Sequence, residues 1–278
     1  MRKTLATFTL CAALFASAPA FAEIPDCYAK TGLSAEIQTP APQKEVFIFI
    51  DQTTLLNASL QNDVRQRVSA LIQPGNAFVL GVFSAFSQGR YLEVLAEGAL
   101  QTGIEKAQRS SIGVKKLKNF DLCLDRQKKY GRKIAAEALA QAFQNTQKDL
   151  KNSDVLSSLS ALSDRVKVST APQKVLFLIS DMLENSSISS FYAHKNVRNI
   201  NAQAELKKVD ANQLFADFAG ARVYVLGAGL IAAEKGKPEV YRDPKTMKNL
   251  ETFWRAYFEQ SNAQLKGFGA PSLLVPVE

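Results

Sequence analysis

Two short apolar runs that each end in aspartate constrain this chain most. Val46 to Ile50, VFIFI, is followed by Asp51, and Val175 to Ile179, VLFLI, is followed by Ser180 and Asp181. Unbroken apolar runs of this length read as strands buried on both faces, the situation at the centre of a parallel sheet. Open α/β sheets place their ligands beyond the carboxyl ends of the strands. Asp51 and Asp181 are therefore predicted to share the lip of one crevice.

The remaining elements alternate around these two strands. Asn57 or Ser59 caps a helix marked by Leu60, Val64, Val68 and Leu71, and Pro74-Gly75-Asn76 breaks it. Phe78–Phe83 reads as a second strand, Ser84–Arg90 as a polar connection, and Tyr91–Leu100 as an antiparallel hairpin partner. Gln101–Leu124 is irregular in pattern. A long helix is predicted from Asp125 to about Leu150, with Gly131 as an alternative start, and a short one over Val155–Leu162. Further on come a polar turn over Leu183–Ser190, a helix over Ala211–Phe218, a strand over Arg222–Leu226, a helix from Pro244 or Thr246, and a final strand over Leu273–Val277. This order predicts a three-layer, Rossmann-like α/β sandwich with a mostly parallel central sheet and one antiparallel edge strand from a hairpin.

The amino terminus is a targeting segment by its pattern. Arg2 and Lys3 precede the apolar stretch Leu5–Ala18, and Ala20-Phe21-Ala22 is a small-x-small cleavage site. The domain plan is then a signal peptide over 1–22, an extended tail over 23–45 containing Pro25, Pro40 and Pro42, and one domain over 46–278. Export implies a periplasmic or secreted protein with no transmembrane segment after cleavage. In an oxidising compartment Cys27 and Cys123 are expected to form a disulfide. The chain has one histidine, His194, in the polar stretch FYAHKNVRN, and no CxxC pair, which argues against a histidine or cysteine metal centre.

From about Glu45 to Val277, the order of parts resembles a von Willebrand factor A-type domain. Members of that family end the first strand in Asp-x-Ser-x-Ser, end a later strand in Asp, and place a Thr before a middle helix, completing a metal-ion-dependent adhesion site. Here the first motif is Asp51-Gln52-Thr53-Thr54-Leu55, with Asp51 and Thr53 matching and Leu55 in place of the last hydroxyl. Asp181 matches the later Asp, and Gly227-Ala228-Gly229-Leu230 follows the fifth strand as such domains look there. Before the helix at Gly131–Gln144 the chain reads Lys128-Lys129-Tyr130-Gly131-Arg132-Lys133, with no hydroxyl except Tyr130. The resemblance implies that Asp51, Thr53 and Asp181, helped by Thr54, Ser180 or Ser186 and water, hold Mg²⁺ or another divalent cation. The departures favour a degenerate site without a cofactor, in which a neighbouring Lys or Arg pairs with Asp51 or Asp181.

Glu105–Lys133 carries ten basic residues against three acidic, an irregular insertion over 101–133 whose patch comprises Lys115, Lys116, Lys118, Lys128, Lys129, Arg132 and Lys133. It suits an anionic surface. With only Phe120 and Tyr130 as aromatics, nucleic acid is not expected. A nucleophilic hydrolase lacks its histidine base. Clustered carboxylates leave one enzyme alternative, a metal-dependent nuclease or phosphoesterase built on Asp51, Asp181 and Glu184, for which Asp121 and Asp125 are the plausible extra donors. The expected function is non-enzymatic recognition of a protein partner at the crevice rim, framed by Ser84–Arg90 and Glu184–Asn201, in an envelope assembly for secretion, conjugation or adhesion. A structural protein binding through the basic segment is the further alternative.

Overall fold

The computed structural model describes residues 24–87, 90–146, 153–193, 196–231 and 243–278. The export segment, His194 and the far end of the predicted helix at Leu150 lie outside them. At the centre stands β1 (Lys44–Asp51), paired in parallel with β2 (Asn76–Ser87) on one side and β4 (Gln173–Ile179) on the other. β3 (Arg90–Ala99) closes the first edge antiparallel to β2, and β7 (Ala221–Leu226) and β8 (Ala263–Gly269) extend the other edge in parallel. The sheet order is β3-β2-β1-β4-β7-β8. A separate pair, β5 (Tyr192–Ala193) and β6 (Asn196–Val197), sits above the sheet's carboxyl end.

The alternation hidden in each apolar run appears once the two layers are seen. Val46, Ile48 and Ile50 face α2 (Ala58–Leu71) and α4 (Val114–Gln144), in a core with Leu60, Val64, Val68, Ala135 and Leu139. Phe47 and Phe49 face α5 (Val155–Lys167), α6 (Ala202–Ala211) and α7 (Pro244–Gln260). In α7, Phe253, Trp254, Tyr257 and Phe258 are fully buried. Each of these helices but α4 starts on a side-chain cap. Asn57 accepts from Leu60 N–H at 2.9 Å, Asp154 from Ser157 at 3.0 Å, Asn201 from Ala204 at 3.1 Å and Asp243 from Thr246 at 2.8 Å.

Several expectations need correction. β2 runs on through Ser87, where a polar connection was expected, because its partner Arg90 continues the ladder. The segment over 101–133 is not an irregular insertion. A one-turn α3 (Lys106–Arg109) leads into α4, a helix of 31 residues that begins well before Asp125. Its first half buries Phe120 against Tyr28, Leu33, Ile104 and Ile112, beside the short α1 (Cys27–Lys30) rather than the sheet. Gly131 is mid-helix, where a β-carbon would come 3.3 Å from Leu100 and 3.4 Å from Ile72. The helix expected over Ala211–Phe218 lies earlier, over Ala202–Ala211, because Asn201 caps it; Gln213 then turns left-handed at φ 55°. The last strand is Ala263–Gly269, and Leu273–Val277 is a strap beside it, its Leu273 and Val275 carbonyls held by the Arg67 guanidinium at 2.6 and 2.7 Å.

Cys27 and Cys123 are disulfide-bonded across a separation of 96 residues, joining α1 to α4. Replacing both by serine is expected to lower the unfolding free energy by about 4 kcal/mol, since a loop of roughly 100 residues regains its freedom when unfolded. A drop in the urea midpoint with an unchanged far-ultraviolet spectrum is the result that checks this.

Candidate functional site

The strand order reverses between β1 and β4, and both end at the crest with an acidic residue. After Asp51 the chain folds back on its own carboxylate. Oδ1 accepts from the Thr53 N–H at 2.8 Å and the Thr53 hydroxyl at 2.6 Å, while Oδ2 accepts from the Ser180 hydroxyl at 2.8 Å. Asp51 is fully buried. Gln52 reaches sideways, its Nε2 donating to the Ala142 carbonyl at the end of α4, at 3.2 Å. Thr54 crosses to the neighbouring strand and accepts the Asp181 N–H at 2.9 Å.

The segment after β4 is equally self-bonded. Ser180 Oγ accepts from the Met182 N–H, and Asp181 Oδ1 from the Leu183 N–H, both at 2.9 Å. These two bonds curl the chain so tightly that Met182 takes φ 57°, a left-handed conformation costly for a side chain with a β-carbon. Trp254 holds it there, with Nε1–H donating to the Met182 carbonyl at 2.9 Å. Gly227, at φ 104°, lets the next strand's turn pass: a β-carbon there would sit 3.1 Å from the Ser180 carbonyl oxygen. The Gly229 N–H then donates to the Asp181 carbonyl at 2.8 Å. The Gly227–Leu230 turn therefore braces the site.

Tyr192 closes the arrangement, its hydroxyl donating to Asp181 Oδ2 at 2.9 Å. Burial raises the Asp181 pKa, and the neighbouring Asp51 charge raises it further, to about 8. Burial also raises Asp51, against the pull of Thr53 and Ser180. Asp51 has the richer set of donors, so at neutral pH it keeps the charge and Asp181 keeps a proton. Burial and the Asp181 charge raise the Tyr192 phenol, which stays a donor.

The rim that carries Tyr192 is fixed from below. Buried Glu205 accepts from the Ser189 hydroxyl and Arg198 Nη2, both at 2.6 Å, and from Lys208 Nζ at 2.9 Å. Burial would raise the Glu205 carboxyl, but these three partners outweigh it and hold it below its ordinary range. Phe191 packs edge-on against Phe253 at 5.0 Å.

The structure thus brings Asp51, Thr53, Thr54, Ser180 and Asp181 together. A hydroxyl that does reach the crest is that of Ser153, just ahead of α5, whose Oγ lies 3.3 Å from Thr53 Oγ1. Its signal in the sequence is the Ser153-Asp154 pair preceding an apolar helical period. Tyr192 carried no signal at all. Glu184 stands apart: its Oε2 accepts from the Leu156 N–H at 2.9 Å, and burial raises it to about 7. Its Oε1 is buried and has no hydrogen-bond partner among the described residues. Asp121 pairs with Arg109 and Asp125 with Lys129, so neither joins the crest.

The ion pair expected between the basic segment and the acidic crest is not formed among the described residues. Lys129 pairs with Asp125 at 2.7 Å, Lys133 with Glu137 at 3.8 Å, and Arg132 leans on the Ile72 carbonyl. Nor do the residues present fit a divalent cation. Asp51 Oδ1 already accepts two hydrogen bonds, and Tyr192 caps Asp181. Among the described residues no three His, Cys, Asp or Glu side chains converge.

No family model and no curated protein sequence matches the chain. Among solved structures it is similar to an aerotolerance-related membrane protein from Bacteroides fragilis with multiple mutations to serines, at 12% identity over 81% of this chain and 92% of that one, TM-score 0.37. It is similar to the PilB minor pilin from Streptococcus sanguinis at 12% identity over 84% of this chain and 58% of that one, TM-score 0.40. A third is the conserved hypothetical protein BatB from Bacteroides thetaiotaomicron, at 9% identity over 80% and 88%, TM-score 0.34.

The raised Asp181 pKa carries a stability signature. Below about pH 4 the group is protonated whether the chain is folded or not. As pH rises from there to about 8 the unfolded chain ionises first, so stability declines across that window. Asp181→Asn is expected to flatten this decline and to melt a few degrees above the parent at alkaline pH, as read by calorimetry over a pH series.

Proposed function

We propose that this chain is a recognition module of the von Willebrand factor A type that works without catalysis and without a resident metal, binding a protein partner at the rim above Asp51 and Asp181. The observation that carries this reading is the phenol-capped acidic pair. Two carboxylates lie at the strand-order reversal, and a tyrosine on the rim caps one of them with a hydrogen bond. The crest's polar atoms bond to one another, so the site offers a fixed polar shape, not a nucleophile or a proton carrier. The export-type amino terminus and the Cys27–Cys123 disulfide support a place in the cell envelope, outside the cytoplasm. Among the described residues, no helix is long and apolar enough to cross a membrane.

The test has two arms. Calorimetric titration with Mg²⁺, Mn²⁺ and Ca²⁺ is expected to show no saturable binding. A photo-crosslinker at exposed Ser187 on the rim is expected to yield a discrete protein adduct in producing cells. That adduct should vanish with Tyr192→Ala and should not form from a crosslinker at Lys207. Saturable metal binding abolished by Asp181→Ala, or metal-dependent phosphoester hydrolysis abolished by Asp51→Ala, would sink this proposal.

A further inference from the structure

With the helix start moved from Asp125 to Val114, the basic residues resolve into a pattern that the sequence alone concealed. Lys115, Lys118, Leu122, Arg126, Lys129 and Lys133 follow one another at steps of three or four, so they lie on one face of α4. That face is turned to solvent. Leu122 is 47% exposed, and Val114, at the start of the same face, is 83% exposed. Five cations stand there against two carboxylates, Asp125, which pairs with Lys129, and Glu137, which pairs with Lys133. Lys115, Lys118 and Arg126 have no ion-pair partner among the described residues. Lys116 is not part of the row: it turns inward to the Gly32 carbonyl and Glu36. Beside the row lies a groove of about 480 Å³, whose lining includes Lys30, Asn119, Arg126 and Tyr130.

We infer that this face of α4 docks the protein on an anionic lipid bilayer. A straight row of cations matches a plane of charge rather than a point. Most of them are lysines, which act as point charges and need no paired acceptors. The exposed Val114 and Leu122 are of the kind that enters the headgroup region of a membrane, and they have no use against a polyanion dissolved in water. Bases would require stacking partners, and the row contains no aromatic residue. The groove offers a single headgroup phosphate one further cation, Lys30, beside the row's own Arg126.

The placement also sets an orientation. The crest end of α4 is marked by Ala142, which accepts from Gln52. Lys118 lies 24 residues earlier, about 36 Å along the axis. A protein resting on this face lays the α4 axis along the bilayer, so its crest stands to one side of the docked row.

Co-sedimentation with vesicles tests this inference. The purified protein is expected to bind vesicles of equal parts phosphatidylglycerol and phosphatidylcholine, to ignore phosphatidylcholine alone, and to lose affinity as salt is added. Each cation near an anionic leaflet contributes about fivefold. Lys118→Glu with Arg126→Glu, both exposed, is therefore expected to weaken binding by at least about 100-fold. The control Lys207→Glu with Lys248→Glu makes the same change of net charge on α6 and α7, and is expected to bind nearly as the parent. The inference is overturned if phosphatidylglycerol vesicles are not bound, if both double variants weaken equally, or if neither does. Capture of polyglutamate without capture of vesicles would overturn it too, pointing instead to an acidic protein.

Discussion

Two carboxylates buried side by side set the terms for the whole crest. Removing a charged group from water costs several kcal/mol even after relaxation, and a second like charge adds to that. The fold answers by holding a proton on Asp181 and concentrating donors on Asp51. The surrounding features follow from that answer. Thr53 and Ser180 are aimed at Asp51, and Leu183 and Tyr192 at Asp181. The chain can deliver the Leu183 N–H only by curling through a left-handed Met182, and it can sustain that curl because Trp254 grips the Met182 carbonyl from a fully packed helix. Glu205 then keeps the tyrosine-bearing rim in place from beneath.

The two ends of the molecule have opposite electrostatic character, and α4 is the rod between them. Its carboxyl end touches Gln52 beside the acidic pair. Its amino end carries the lysine row and is tied by the disulfide to the start of the domain. The net charge of the chain, +8, hides this separation. A crest that keeps one buried negative charge, on Asp51, and a far pole that is cationic are compatible with different partners at the same time.

Much of this was legible in the sequence, for identifiable reasons. β1 and β4 are covered on both faces, so their residues had to be apolar throughout, and their ends were marked by Asp51 and Asp181. The helix α2 announced itself by a cap and an apolar period, and α7 by the proline at its start. Where the reading failed, packing partners were the cause. In the first half of α4, Leu117, Phe120 and Leu124 pack on α1 rather than the sheet, and the lysines between them read as a loop. Reading that half as irregular also invited a lysine into the crest. Small residues disguised β8, whose inward positions include Gly267 and Gly269. Tyr192 acts from a two-residue strand, too short to leave a periodic trace.

The strand order carries a consequence for how the molecule is made. β1 is the first strand of the sheet to be synthesised, yet it sits in the middle, and β4, which covers its second edge, begins at Gln173. Until then VFIFI can pair only with β2 and presents an open row of backbone donors and acceptors. That segment combines high β-propensity with no charge and no proline, the composition of a cross-β nucleus. The distant parallel pairing is also intrinsically slow to form. The interval between making β1 and docking β4 is thus the period in which this chain is most exposed to self-association.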